Sequence, residues 1–187
     1  MSVVVNFYAG PSAGKSIASS DLCSELKKRG LYAEMVTEVA KEKVLKGEKF
    51  NKFDQFHLFG MQSKRETDLY DKVDIIVTDS PVPLNAAYGW VMDKYSYPNT
   101  FHAMATSHLQ AQDDSQIQRV DIWLNRMGHF QKEGRIHDER EAINMDVQIR
   151  HFLALCGIGT TEFKVGEFTS SELADFVTEK IDEQRRN

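Results

Sequence analysis

Cysteine is scarce in this chain, with two residues, Cys23 and Cys156, among 187. They fall in separate predicted helices and make no CxxC spacing, so a disulfide framework or a redox motif is not expected and both read as small apolar side chains. The sequence also lacks any apolar run near the roughly 20 residues that a membrane helix needs. Its longest are short strings such as Val3-Val4-Val5 and Ile75-Ile76-Val77. The start, MSVVVNFYAG, lacks the basic opening, long apolar stretch and small-residue cleavage site of a secretory signal, so a cytoplasmic protein is expected. The six histidines show no paired ligand spacing, and no zinc site is expected. An excess of positive charge is missing too. Lys and Arg number 23 against 28 Asp and Glu, a net charge of −5, which argues against a broad nucleic-acid-coating surface and leaves room only for a local basic site. No internal repeat or low-complexity linker interrupts the chain.

What is present is the balance of one globular domain over residues 1–187, with 41% hydrophobic and 27% charged residues. Residues 3–8 form a β-branched and aromatic run without polar alternation, the pattern of a strand buried on both faces of a parallel sheet. After a glycine-bearing turn, residues 16–29 carry Ile17, Leu22 and Leu26 at helical spacing, with Gly30 where a left-handed C-terminal cap belongs. Further strands are expected over 31–37, 73–78, 120–124 and 163–165, and helices over 53–69, within 100–112 and over 139–155. Thr169 followed three places later by Glu172 is a capping-box pattern ahead of Leu173, Phe176, Val177 and Ile181, predicting a final helix. Alternating strands and helices imply an α/β fold, three-layered and Rossmann-like, with a mainly parallel five-stranded sheet covered on both faces.

The strongest chemical signal is Ala9-Gly10-Pro11-Ser12-Ala13-Gly14-Lys15-Ser16. It matches the phosphate-loop pattern except that alanine stands at the first glycine position, which is harmless if its φ is negative. A loop between a buried strand and a helix turns successive N–H groups onto phosphate oxygens, and the helix N-terminus adds a favourable dipole. The expected roles are the Lys15 ammonium on the β- and γ-phosphates of ATP and the Ser16 hydroxyl on Mg2+. A second signal is the apolar strand ending in Thr78-Asp79-Ser80-Pro81. Ligands gather beyond the C-terminal strand ends of such sheets, so Asp79 is the expected second metal partner, while Asp74 at the strand's start points to the opposite end.

Glu38, just after the second strand, lies on the same edge. It reads either as the group that takes the acceptor's proton or binds its sugar, or as a helix-start glutamate facing the dipole. Gln55, Gln62 and Arg65 share a helical face that either lines an acceptor pocket or is solvated. Between the fourth strand and the next helix, two glycines flank a polar, cationic segment suited to a mobile lid of about 126–140. Arg126, Arg135 and Arg140 are its candidates for neutralising the transferring phosphate, the alternative being an ordinary surface loop. Tyr88, Trp90, Tyr95 and Tyr97, with Lys94, form an aromatic stretch that either stacks on a base or belongs to core and rim.

These motifs, in order VNFYAGPSAGKS, VTEVAKE, DQFHLFGMQ, VDIIVTDSP followed by LNAAYG, and WLNRMGHFQKEGR, resemble the small P-loop kinases related to thymidylate kinase and to the nicotinamide riboside kinase domain, a group frequent in tailed bacteriophages. The resemblance covers nearly the whole chain. It implies a P-loop kinase core and carries functional roles onto Lys15, Ser16, Asp79, Arg126 and Arg135. Some phage members of the group phosphorylate 5-hydroxymethyluracil already incorporated in DNA, a DNA-modification step, and that acceptor is the specific expectation here. A free deoxynucleoside or nucleoside monophosphate is the alternative acceptor. A P-loop ATPase or switch that hydrolyses ATP without an acceptor is the second alternative.

Overall fold

The computed structural model describes residues 2–48, 54–92, 98–126 and 139–186. Strand β1 (Val3–Tyr8) is buried along its whole length, as its unbroken apolar pattern predicts. On one face Val3, Val5 and Phe7 pack against Leu22 and Leu26 of α1 (Lys15–Lys28) and against Leu173, Val177 and Ile181 of α7 (Ser170–Arg186). On the other face Tyr8 meets Leu84 of α4 (Val82–Met92), Phe101 of α5 (Pro98–Asp114), and Ile149 and Phe152 of α6 (Glu139–Leu155). The sheet is thus sandwiched between two helical layers.

Strands β2 (Ala33–Val36), β3 (Ile75–Thr78), β4 (Gln118–Asn125) and β5 (Thr161–Lys164) complete a five-stranded sheet in the order β2-β3-β1-β4-β5. Every pairing is parallel. The expected α/β architecture is therefore present, with strand limits that differ by a few residues from the apolar runs. Helix α1 closes as expected at Gly30 (φ 81), where the Leu31 N–H reaches the Leu26 carbonyl at 3.1 Å and the Gly30 N–H reaches Lys27 at 3.0 Å. At α7 the Glu172 N–H donates to Thr169 Oγ1 (3.2 Å) and the Thr169 N–H to Glu172 Oε2 (2.7 Å), the reciprocal capping box that the sequence signals.

Two helices carry no clear sequence signature. Helix α2 (Val39–Leu45) is two turns long, too short for its period to stand out, and α4 is apolar nearly all round. The latter packs against α5, α6 and α3 (Asp54–Thr67), which is why it shows no polar stripe. No helix among the described residues is long and apolar enough to cross a membrane.

Candidate active site

Residues 9–16 join β1 to α1 at the C-terminal edge of the sheet. Gly14, with φ 89, sits at the N-cap of α1 and contributes no side chain, so the helix's first amides are not capped by a side-chain oxygen. That open helix end, with its positive dipole, faces a cavity of about 530 Å³ whose wall includes residues 11–17. Ala9 is buried and does not adopt a positive φ, so its methyl group introduces no backbone strain at the position where the pattern has glycine. Lys15 folds over the loop, its Nζ donating to the carbonyls of Ala9 (3.0 Å) and Gly10 (2.9 Å). Burial pushes its pKa below the usual lysine value, and the charges of Glu38 and Asp79 oppose that shift.

Parallel pairing of β3 with β1 sets Thr78 beside Asn6, so the residue leaving β3 arrives next to the loop. That residue is Asp79, 3% exposed, whose Oδ2 accepts a 2.6 Å hydrogen bond from Ser16 Oγ. Its Oδ1 is buried with no hydrogen-bond partner. Asp74 lies at the other end of β3, its carbonyl taking the N–H of Val3, the first residue of β1 (2.9 Å). A hydroxyl and a carboxylate with one unclaimed buried oxygen are hard donors that fit Mg2+, which binds through few protein oxygens and keeps water and phosphate in its other positions.

Across the cavity stand Glu38, Lys41, Gln55, Asn85, Tyr88 and Met92. Glu38 occupies the N-cap of α2 without making a side-chain cap bond, and its carboxylate faces the cavity instead. Burial raises its pKa, Lys15 works against the rise and Asp79 adds to it. Of the three α3 residues on one predicted face, only Gln55 lines the cavity. Gln62 is buried and its Oε1 accepts the N–H of Val39 (3.1 Å), while Arg65 forms a two-pronged pair with Glu42 at 2.7 Å per contact. The pocket-lining expectation for Gln62 and Arg65 is thus corrected: both hold α2 against α3. Trp90 is partly buried against the core, with ring centroids 5.6 Å from Phe152 and 5.9 Å from His151, whereas Tyr88 reaches the cavity wall. Lys94, Tyr95 and Tyr97 lie outside the described residues.

Arg126 directly follows β4 and is engaged by the protein itself. Its Nε donates to Asp146 Oδ2 (2.5 Å), its Nη2 to Asp146 Oδ1 (3.0 Å) and its Nη1 to the Pro11 carbonyl (2.5 Å). Asp146 Oδ1 also accepts the Gly10 N–H at 2.6 Å. Arg140 is an exposed residue in the first turn of α6; Arg135 and most of the 126–140 segment lie outside the described residues. Asp146 carries no local motif and escapes sequence reasoning, and Asn85, though within LNAAYG, has no role assigned from the sequence. Asn85 is fixed by donating through Nδ2 to Ser80 Oγ (3.1 Å) and to the carbonyls of Ser80 and Pro81 (3.3 Å each), the residues that directly follow Asp79.

No protein-family model matches the chain, and no curated protein matches it either. Solved structures do. The chain is similar to the YorR protein of Bacillus subtilis, crystallised with phosphorylated GDP (TM-score 0.61, 14% identity, 98% of each chain covered). It is similar also to deoxyadenosine kinase from M. mycoides with the products dCMP and dCDP (TM-score 0.53, 15% identity, 98% of this chain and 100% of that one). A third is the APS kinase CysC of Mycobacterium tuberculosis in complex with AMPPNP and APS (TM-score 0.53, 12% identity, 97% and 98% covered). At these identities the likeness establishes the fold: the described residues share the α/β fold of these P-loop kinases.

Proposed function

We propose that the protein is an ATP-dependent kinase that transfers the γ-phosphoryl group to a hydroxyl of a nucleoside or nucleotide. The observation that carries this reading is the single cavity wall that joins the open N-terminus of α1 and Lys15 on one side to Glu38 on the other, with Asp79 bonded to Ser16 beside it. The same cavity extends to Gln55, Asn85 and Tyr88, a lining that hydrolysis of ATP alone would not need. The neighbours bound to nucleotides support the same reading.

In this mechanism the loop amides and Lys15 bind the β- and γ-phosphates, and Ser16 and Asp79 would hold Mg2+. Held there, such an ion would supply positive charge against the negative charge that develops on the phosphoryl oxygens. Lys15 leaves the carbonyls of Ala9 and Gly10 to meet the triphosphate. Glu38 accepts the proton of the acceptor hydroxyl as that oxygen bonds to the γ-phosphorus; the bond to the bridging oxygen breaks and ADP departs with the electron pair. Burial makes Glu38 a stronger base than an exposed glutamate.

The lining of the cavity supports a free nucleoside or nucleotide as the acceptor. Its described wall has two cations, Lys15 and Lys41, and the chain carries net negative charge, whereas a DNA backbone is held largely by lysine and arginine. The 5-hydroxymethyluracil-in-DNA acceptor implied by the phage resemblance requires an extruded base resting against Tyr88. Transfer of labelled phosphate from ATP, offered hydroxymethyluracil DNA, free nucleosides and nucleoside monophosphates side by side, decides between them. Label in the small molecules alone removes the DNA reading, label in DNA alone removes the other, and ATP hydrolysis with no labelled acceptor in either removes the kinase assignment. A cytoplasmic setting, where ATP is plentiful, accompanies this function.

A further inference from the structure

We propose that Asp146 is a positioning residue and that the Arg126–Asp146 ion pair is a clamp setting the phosphate-binding loop from outside, so that Arg126 acts on the loop rather than on the transferring phosphate. The inference rests on the reading that residues 9–16 bind ATP.

The geometry is specific. Asp146 belongs to α6, which follows the 126–140 segment, and its Oδ1 receives the Gly10 N–H at 2.6 Å. Arg126 takes hold further along the loop: its Nη1 grips the Pro11 carbonyl at 2.5 Å while Nη2 also reaches the Ala142 carbonyl at 3.3 Å. One ion pair therefore holds the N–H of Gly10 and the C=O of Pro11, the two ends of a two-residue stretch. Fixing those peptide planes fixes where the later amides of the loop point, which is the preorganisation that phosphate binding needs. The contact is close-fitting, since a Cβ built on Gly10 would lie 2.4 Å from Asp146 Oδ1 and 2.8 Å from Arg126 Nη2.

Charge gives the pair its second property. A carboxylate against a triphosphate site repels the ligand unless it is neutralised, and Arg126 neutralises Asp146 through both of its oxygens. The pair is mostly buried, with side-chain exposures of 17% and 19%, so removing one member leaves a poorly solvated charge. Arg126 is absent from the cavity wall, and its Nε, Nη1 and Nη2 each donate to protein oxygens.

Binding of MgATP and MgADP, measured by titration calorimetry on the full chain, separates a clamp from a direct phosphate contact without knowledge of the acceptor. For Arg126→Gln the clamp predicts that both nucleotides lose affinity by a similar factor, on the order of tenfold. Adding Asp146→Asn recovers most of that loss, because Gln and Asn keep the hydrogen-bonding pattern to Pro11 and Gly10 without the stranded charge. A loss confined to MgATP, or a double variant that binds no better than Arg126→Gln, overturns the clamp. If Arg126→Gln does not fold, Arg126→Lys reads the same question: it keeps the charge but loses the fork, so weaker binding of both nucleotides is expected and unchanged binding refutes the proposal. A wild-type protein that binds neither nucleotide refutes instead the reading of the loop on which the clamp depends.

Discussion

Ser16 and Asp79 are 63 residues apart in the chain, yet the serine hydroxyl donates to the aspartate carboxylate at 2.6 Å. The bond ties the first turn of α1 to the end of β3, and it leaves Asp79 Oδ1 buried without a partner. A buried carboxylate oxygen with no donor is costly unless something binds it. Replacing Asp79 by Asn therefore has opposite effects on two observables. Thermal stability of the ligand-free protein holds or rises, because a buried charge is removed, while the gain in ATP affinity on adding magnesium is lost. A variant that keeps the full magnesium effect contradicts the role proposed for Asp79.

Glu38 sets the expected pH dependence. Burial raises its pKa above the ordinary glutamate value of about 4.3, and only the deprotonated form accepts a proton. Turnover should rise as pH climbs through this raised pKa, with an acid limb displaced upward from that of an exposed glutamate. Glu38→Gln should remove the limb and lower kcat by roughly 10²- to 10⁴-fold. Stability runs the other way: a raised folded-state pKa stabilises below the unfolded pKa, and that contribution disappears as pH rises through the folded one. Glu38→Gln should accordingly be at least as stable as wild type at neutral pH, which a thermal melt checks alongside the rate profile.

Gly10 has no space for a side chain. The Cβ of Gly10→Ala would meet Asp146 and Arg126 side-chain atoms at 2.4 and 2.8 Å and the Ala142 carbonyl at 3.3 Å. We expect a loss of about 1–3 kcal/mol in unfolding free energy from the overpacking, together with weakened ATP binding. Chemical denaturation and nucleotide titration of the variant measure the two effects.

The acceptor wall depends on Gln62, whose Oε1 satisfies the Val39 N–H at the start of α2. Gln62→Leu leaves that buried donor unpaired, a cost of about 1–3 kcal/mol. Because α2 carries Ala40, Lys41 and Val44 of the cavity wall, KM for the acceptor should rise while KM for ATP changes little. Equal increases in both would show that α2 does not belong to the acceptor side.

Local features proved legible in the sequence and distant partnerships did not. The buried strand β1, the loop of residues 9–16, the Gly30 cap and the Thr169–Glu172 box each rest on neighbouring residues whose period or turn chemistry is visible in a short window. The approach of Asp79 to Ser16 was also within reach, since parallel strands deliver their C-terminal residues to one edge. Asp146 was not, because the group it serves is 136 residues away and nothing near it on α6 marks a carboxylate for use. The sequence leaves Gln62 and Arg65 between a pocket and a solvated face and hides their pairing with α2, because helical spacing shows that residues share a face but not whether that face meets a ligand, water or another helix. Helix α4 lacks the amphipathic contrast that sequence reading depends on, being packed on several sides.

Equilibrium binding of MgATP to wild type and to Lys15→Ala tests the central claim most directly. Lys15 contacts only loop carbonyls among its hydrogen bonds, so its truncation should leave the fold intact by circular dichroism. The account predicts saturable binding to wild type and a loss of affinity on the order of a hundredfold in the variant. Equal affinity of the two folded proteins, or no binding to either, would contradict it.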